Sequence, residues 1–118
     1  MKVKIGSSEY DLYLKNLNVN QKVLKEIKGE LPEDLESYDS KYVFGYIDEI
    51  EGKIEIEKNS CTNARKLTFW HEVVHGLMYE IGLRELGDDE GFVEALSRQL
   101  YAFMRNNNID KVYTILEK

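Results

Sequence analysis

The sequence predicts an α+β fold, and three observations predict it. The first fourteen residues alternate apolar and polar side chains around a glycine turn, as a half-buried strand pair does. Residues 43–58 repeat that pattern around a second turn. Two later stretches, from about residue 60 to 81 and from about 88 to 105, carry apolar residues at i, i+3, i+4 and i+7, as amphipathic helices do. Strands joined by tight turns are antiparallel, so an antiparallel sheet packed on two helices is expected, in one domain spanning residues 1–118.

In chain order, "KVKI", "GSS" and "YDLYL" form a predicted β-hairpin. Val19, Val23 and Ile27 recur at helical spacing before Gly29, which predicts a short helix over 19–28. "GELPEDLESYDS" holds the only proline and is expected to be a loop. Val43 to Ile50 and Lys53 to Lys58 read as two strands around "EG". In the second strand Ile54 and Ile56 alternate with Glu55 and Glu57, which predicts one buried face and one solvated, charged face. Ser60 or Thr62 is the expected N-cap of a helix running to Ile81 and stopped by Gly82. Its predicted apolar stripe is Leu67, Trp70, Val74, Leu77, Met78 and Ile81. Asp88 or Asp89 is the expected cap of the next helix, with Phe92, Val93, Leu96, Leu100, Phe103 and Met104 on its buried face. "NNN" ends it, and "IDKVYTILEK" fits a short strand or a short helix equally.

Composition narrows the function classes. A net charge of −6 disfavours phosphate backbones, so no nucleic-acid partner is expected. No apolar run is long enough to span a bilayer, and "MKVKIGSSEYDLY" lacks the apolar stretch of a signal peptide. With one cysteine, Cys61, no intrachain disulfide can form, and a cytoplasmic location is expected. Cys61 is expected to be a small packed residue.

The chemistry concentrates in "FWHEVVHGLM", which holds both histidines of the chain, His71 and His75. Four residues apart on a helix, they point the same way, at one edge of the predicted apolar stripe and about 40° apart. Two imidazoles so placed share a small cation well, and a catalytic zinc site takes three protein ligands and keeps a fourth position open. Glu72 is then placed to act as general base toward a water and to return the proton to a leaving amine. With no third histidine, the remaining ligand is expected to be a carboxylate. Glu80 points away on the same helix, which leaves Glu85, Asp88, Asp89, Glu90 and Glu94.

"HEVVH" followed by a helix containing "FVEALSRQLYAF" resembles the gluzincin clan of thermolysin-like enzymes. Residues 43–105 resemble more closely the small phage- and mobile-element-borne proteins of the ImmA/IrrE metallopeptidase family, in their order of strand hairpin, polar helix start and zinc helix. The resemblance implies a minimal zincin-like domain, one zinc ion per chain and cleavage of a specific protein such as a repressor. The family's Glu-Ala motif carries the third ligand onto Glu94, followed by Ala95. Glu90 is the rival: helical phase puts it about 100° from the centre of the buried stripe, against about 140° for Glu94. Thermolysin-like enzymes also carry, four residues after the ligand, an aspartate that supports a zinc histidine; counted from Glu94 that position is Arg98. Tyr79 is the candidate oxyanion stabiliser, beside Tyr42, Tyr46 and Tyr101. The strand Lys53 to Lys58 is the candidate for pairing with an extended peptide substrate. A protein partner or activator that completes the cleft, and a catalytically inactive zinc-binding interaction module, are the further expectations.

Overall fold

A computed structural model describes residues 1–18 and 42–118 of the chain. The helix expected over 19–28 and the loop after it lie outside the described residues. β1 (Lys2–Ile5) and β2 (Ser8–Lys15) form the expected hairpin, with Ile5 opposite Ser8. Its two-residue turn opens with Gly6 at φ +61°, the conformation that matches the twist of paired strands. β3 (Gly45–Asp48) and β4 (Lys53–Glu57) form the second hairpin. β3 is shorter than expected because the Asp48 carboxylate accepts the N–H groups of Ile50 and Glu51, at 2.9 and 3.0 Å, and so starts the turn early.

The two hairpins join in a four-stranded sheet of order β1-β2-β4-β3. The join departs from expectation: β2 and β4 run parallel, with Asp11 opposite Lys53 and Lys15 opposite Glu57, so the sheet is mixed. Hairpin sequences determine pairing within each hairpin and leave open which outer edges meet. The parallel join makes β4 a central strand, and its acids are not solvated. Glu55 is buried beneath the Tyr46 hydroxyl, with Lys15 at 3.1 Å and Lys53 at 3.4 Å. Burial opposes ionisation of Glu55, but the Tyr46 hydroxyl and the two lysines outweigh it and hold its carboxyl below the ordinary value.

Glu57 is only 1 % exposed and accepts from Leu17 N–H (3.2 Å) and from the Asn18 amide (3.1 Å). Asn18 also exchanges two hydrogen bonds with the backbone of Val43, both 2.9 Å, and so ties the end of β2 to the entry of β3. Replacing Asn18 with alanine leaves a buried carboxylate short of a donor and Val43 without a partner. Asn18→Ala is expected to cost about 2–3 kcal/mol, read as a lowered urea midpoint with an unchanged m-value.

Four helices follow: α1 (Thr62–Glu80), α2 (Arg84–Gly87), α3 (Glu90–Asn106) and α4 (Ile109–Leu116). Cys61 is the N-cap of α1, makes no side-chain cap and is exposed rather than packed; Ser60 instead donates to the Glu57 carbonyl. Gly82, at φ +80°, closes α1 as expected, with Leu83 N–H bonded to the Met78 carbonyl. Asp89 caps α3 by accepting the Phe92 N–H at 3.0 Å. The short α2 was not foreseen in "LRELG", and the C-terminal stretch is a helix, capped by Asn108.

The core forms where α1 crosses the sheet: Ile5, Tyr10, Ile54, Ile56 and Val73, with Ile47, Phe69, Trp70 and Leu77 packed around them. α3 covers a second side of α1 through Val93 and Ser97, both fully buried. Covered on two sides, α1 buries a wider arc than its apolar stripe, and Glu72, His75 and Gly76 are drawn inside. Ile81, predicted in the stripe, lies beyond both covers and is exposed, as are Phe103 and Met104 near the end of α3. Gly76 allows the close approach: a Cβ there would stand 2.7 Å from Ile5 Cδ1 and 3.0 Å from Ile47 Cδ1. One turn on, the C-terminal end of α1 is held by Glu80, whose carboxylate accepts Ser7 N–H (2.8 Å) and the hydroxyls of Ser7 (2.6 Å) and Ser8 (3.1 Å). Among the described residues no helix is long and apolar enough to cross a membrane.

Candidate metal centre

His71 and His75 leave α1 one turn apart, on the side facing the start of α3. Each ring is anchored at Nδ1 by a group that can only accept. The His71 Nδ1–H donates to Glu94 Oε2 at 2.9 Å, and the His75 Nδ1–H donates to the Gly87 carbonyl at 2.6 Å. With the proton on Nδ1 in each neutral ring, both Nε2 atoms present lone pairs. Those two atoms lie 3.2 Å apart. The Glu90 carboxylate faces both, with Oε2 at 3.1 Å from His71 Nε2 and Oε1 at 3.1 Å from His75 Nε2.

In these tautomers three acceptors converge, and a cation between them would relieve their repulsion. The spacing suits one. Donor atoms at tetrahedral corners 2.0–2.1 Å from zinc stand about 3.3 Å from each other. Two imidazole nitrogens and a carboxylate oxygen are a donor set that zinc takes readily. His71, His75 and Glu90 form the one group of three potential ligands this close among the described residues.

The carboxylates are distributed differently from the expectation that Glu94 is the third ligand. Glu94 meets the far nitrogen of His71 and lies behind the ring, while Glu90 meets the facing nitrogens. Helical phase accounts for it, since Glu90 projects closer to the buried side of α3 than Glu94 does. Arg98 completes a chain by donating its Nε–H to Glu94 Oε1 at 2.6 Å, leaving the other carboxylate oxygen for His71.

Glu72 stands beside this group, 6 % exposed. Burial pushes its carboxyl up to about 7, with His71 drawing it down and Glu90 pushing it up in smaller measure. Two hollows meet at these residues. One, of about 330 Å³, runs past Gly45, Tyr46 and Ile47 of β3 to Tyr79 and Glu90. The other, of about 500 Å³, is walled by Tyr42, Val43, Phe44, Leu67 and Arg98. β3 is an edge of the sheet and lines the site, whereas β4 has both edges paired. Among the described residues the unpaired strand edge beside the site is therefore that of β3, and not that of Lys53 to Lys58, the strand expected to pair with a substrate.

Three of the four candidate tyrosines have their hydroxyls engaged elsewhere. Tyr79 stacks on His75 with ring centroids 6.0 Å apart, but its hydroxyl donates to Asp88 at 2.9 Å. Burial and Asp88 push that phenol up to about 12, and Arg84 covers its ring at 4.4 Å. The Tyr46 hydroxyl goes to Glu55 and the Tyr101 hydroxyl to Asn63; Tyr42 packs edge-on against Phe44. Tyr79 acts here as a brace for the α2–α3 connection. A Cβ at Gly87 would stand 2.7 Å from its ring, so the glycine lets the backbone carbonyl that anchors His75 come close. That carbonyl is a functional group no side-chain pattern reveals. Arg98 and Glu94 carried a readable signal, the i, i+4 spacing of an ion pair on a helix.

No family model, no curated protein and no solved structure matches this chain.

Proposed function

We propose that this protein is a minimal, gluzincin-like zinc peptidase of the ImmA/IrrE type, with zinc held by His71, His75 and Glu90 and with Glu72 as general base. One observation carries the reading: two histidine Nε2 atoms and a carboxylate converge within 3.2 Å of each other, each ring anchored from behind, with a buried carboxylate alongside. A zinc ion held there would lower the pKa of a bound water toward neutrality and polarise a peptide carbonyl. Glu72 would take the water's proton and pass it to the leaving amine. Glu94, locked by Arg98, fixes the ring of His71, and Gly87 O fixes that of His75. An extended peptide would run along β3, and the hollow beside Phe44 and Leu67 would receive an apolar side chain next to the bond that is cut.

The revised ligand also removes a departure from the thermolysin-like pattern. Counted from Glu90, the position four residues on is Glu94, a carboxylate on a ligand histidine, rather than Arg98. A second reading has its own support. The Tyr79 hydroxyl, the expected oxyanion stabiliser, is bound to Asp88, which favours a zinc-binding interaction module or a partner that completes the cleft.

Ligand assignment and catalysis are tested together. Zinc should raise the melting temperature of the wild-type protein, and a chelator should abolish both that gain and any cleavage of a candidate repressor. Glu90→Ala should erase most of the zinc-dependent gain. Glu94→Ala should keep it at saturating zinc but need roughly 10–100-fold more metal to reach it. The reverse ranking would return the third ligand to Glu94. Zinc binding without cleavage of any protein would move the reading to the interaction module.

A further inference from the structure

On the side of α1 away from the histidines, the sheet and α3 part to leave a second groove, of about 680 Å³. Leu12 and Leu14 of β2, Phe69 and Trp70 of α1 and Met104 of α3 make it apolar. Three cations, Arg65, Lys66 and Arg105, stand around it. In a chain of net charge −6 this is a local reversal of sign. Among the described residues none of the three is ion-paired: Arg65 donates to the Lys58 carbonyl and the Thr62 hydroxyl, and Arg105 lies over the Tyr101 ring. The other cations of the sheet and the site, Lys2, Lys4, Lys15, Lys53, Arg84 and Arg98, all have carboxylate partners. The groove thus wants an occupant that is apolar on one face and acidic beside it.

α4 has that form. Ile109, Val112, Tyr113 and Leu116 fall at i, i+3, i+4 and i+7 on one stripe, and none of the helix's residues is buried. Taking about 100° per residue, Asp110 and Glu117 flank the stripe on one side while Lys111 and Lys118 lie opposite it. An eight-residue helix is too short to persist on propensity alone and needs its apolar face covered. In its own chain it leaves the groove open.

We propose that the protein forms a dimer in which α4 of each copy lies in the apolar groove of the other, its stripe on Leu14, Phe69 and Trp70 and its acids against Arg65, Lys66 and Arg105. Reciprocal exchange about a two-fold axis makes the contact twice, which suits a segment too small to hold a dimer by one contact. The interface is separate from the histidine site, so dimerisation does not depend on metal.

The test is the molar mass of the full chain by light scattering over a concentration series, with the emission of Trp70, the only tryptophan, followed on the same samples. The expected result is a concentration-dependent dimer whose formation shifts Trp70 emission to the blue. Val112→Asp with Leu116→Asp, both exposed positions, should weaken dimerisation at least about a hundredfold while circular dichroism stays that of a folded protein. Lys66→Glu and Asp110→Lys should each weaken it, and their combination should restore part of the loss. A protein that stays monomeric at its highest soluble concentration overturns the proposal. So does a dimer indifferent to the α4 substitutions, or a monomer whose Trp70 shifts only on adding an anionic amphiphile.

Discussion

Replacing His71 and His75 together with alanine is expected to leave a folded protein that no longer binds zinc. Both side chains border the core without belonging to the apolar cluster, so the loss of fold stability without metal should be modest. The loss of metal-dependent stability should be complete. At zinc concentrations about a hundredfold above the dissociation constant, ligand linkage adds about 2.7 kcal/mol to the native state, or about 10 °C in a domain of this size. The double variant should show none of that gain, and metal analysis after dialysis should find no stoichiometric zinc. These are the only histidines in the chain, so nothing remains to substitute for them. Equal zinc content in variant and wild type would remove the basis of the functional reading.

Glu72→Gln is expected to produce the largest change in chemistry with the least in structure. Glutamine keeps the shape and polarity of a buried side chain that packs under β3, but it cannot accept a proton. Zinc content and melting temperature should stay near wild type, while cleavage falls by roughly a hundredfold or more. Under the interaction-module reading the same variant keeps its full biological effect. A cellular assay of the two proteins therefore separates catalysis from binding even before a substrate is known.

What the sequence revealed, and what it hid, follows one rule. Periodicity reports single elements, so the hairpin at Gly6, the stop at Gly82 and the cap at Asp89 were legible, and so was the pairing of His71 with His75 on one helix face. Relations between elements were not. Nothing in "KIEIE" says that its neighbour is β2, yet that parallel join buries Glu55 and Glu57 and makes β3 the edge beside the histidines. The choice between Glu90 and Glu94 is of the same kind. Each lies on α3, and which carboxylate meets the facing nitrogens depends on the rotation of α3 against α1, set by Val93 and Ser97 at their contact. Helical phase pointed to Glu90, whose carboxylate faces those nitrogens, and a two-residue motif pointed to Glu94. The Gly87 carbonyl behind His75 was beyond any side-chain reasoning, because its position depends on a turn that Tyr79 and Asp88 hold in place.

The most direct test of the metal centre is a crystal structure of the protein grown with zinc, with anomalous difference maps recorded on both sides of the zinc absorption edge. One peak is expected per chain, bonded at about 2.0–2.2 Å to Nε2 of His71, Nε2 of His75 and a carboxylate oxygen of Glu90, with Glu94 still hydrogen-bonded to Nδ1 of His71. A map with no peak between the two histidines, or a peak ligated by Glu94 while Glu90 faces solvent, would contradict it.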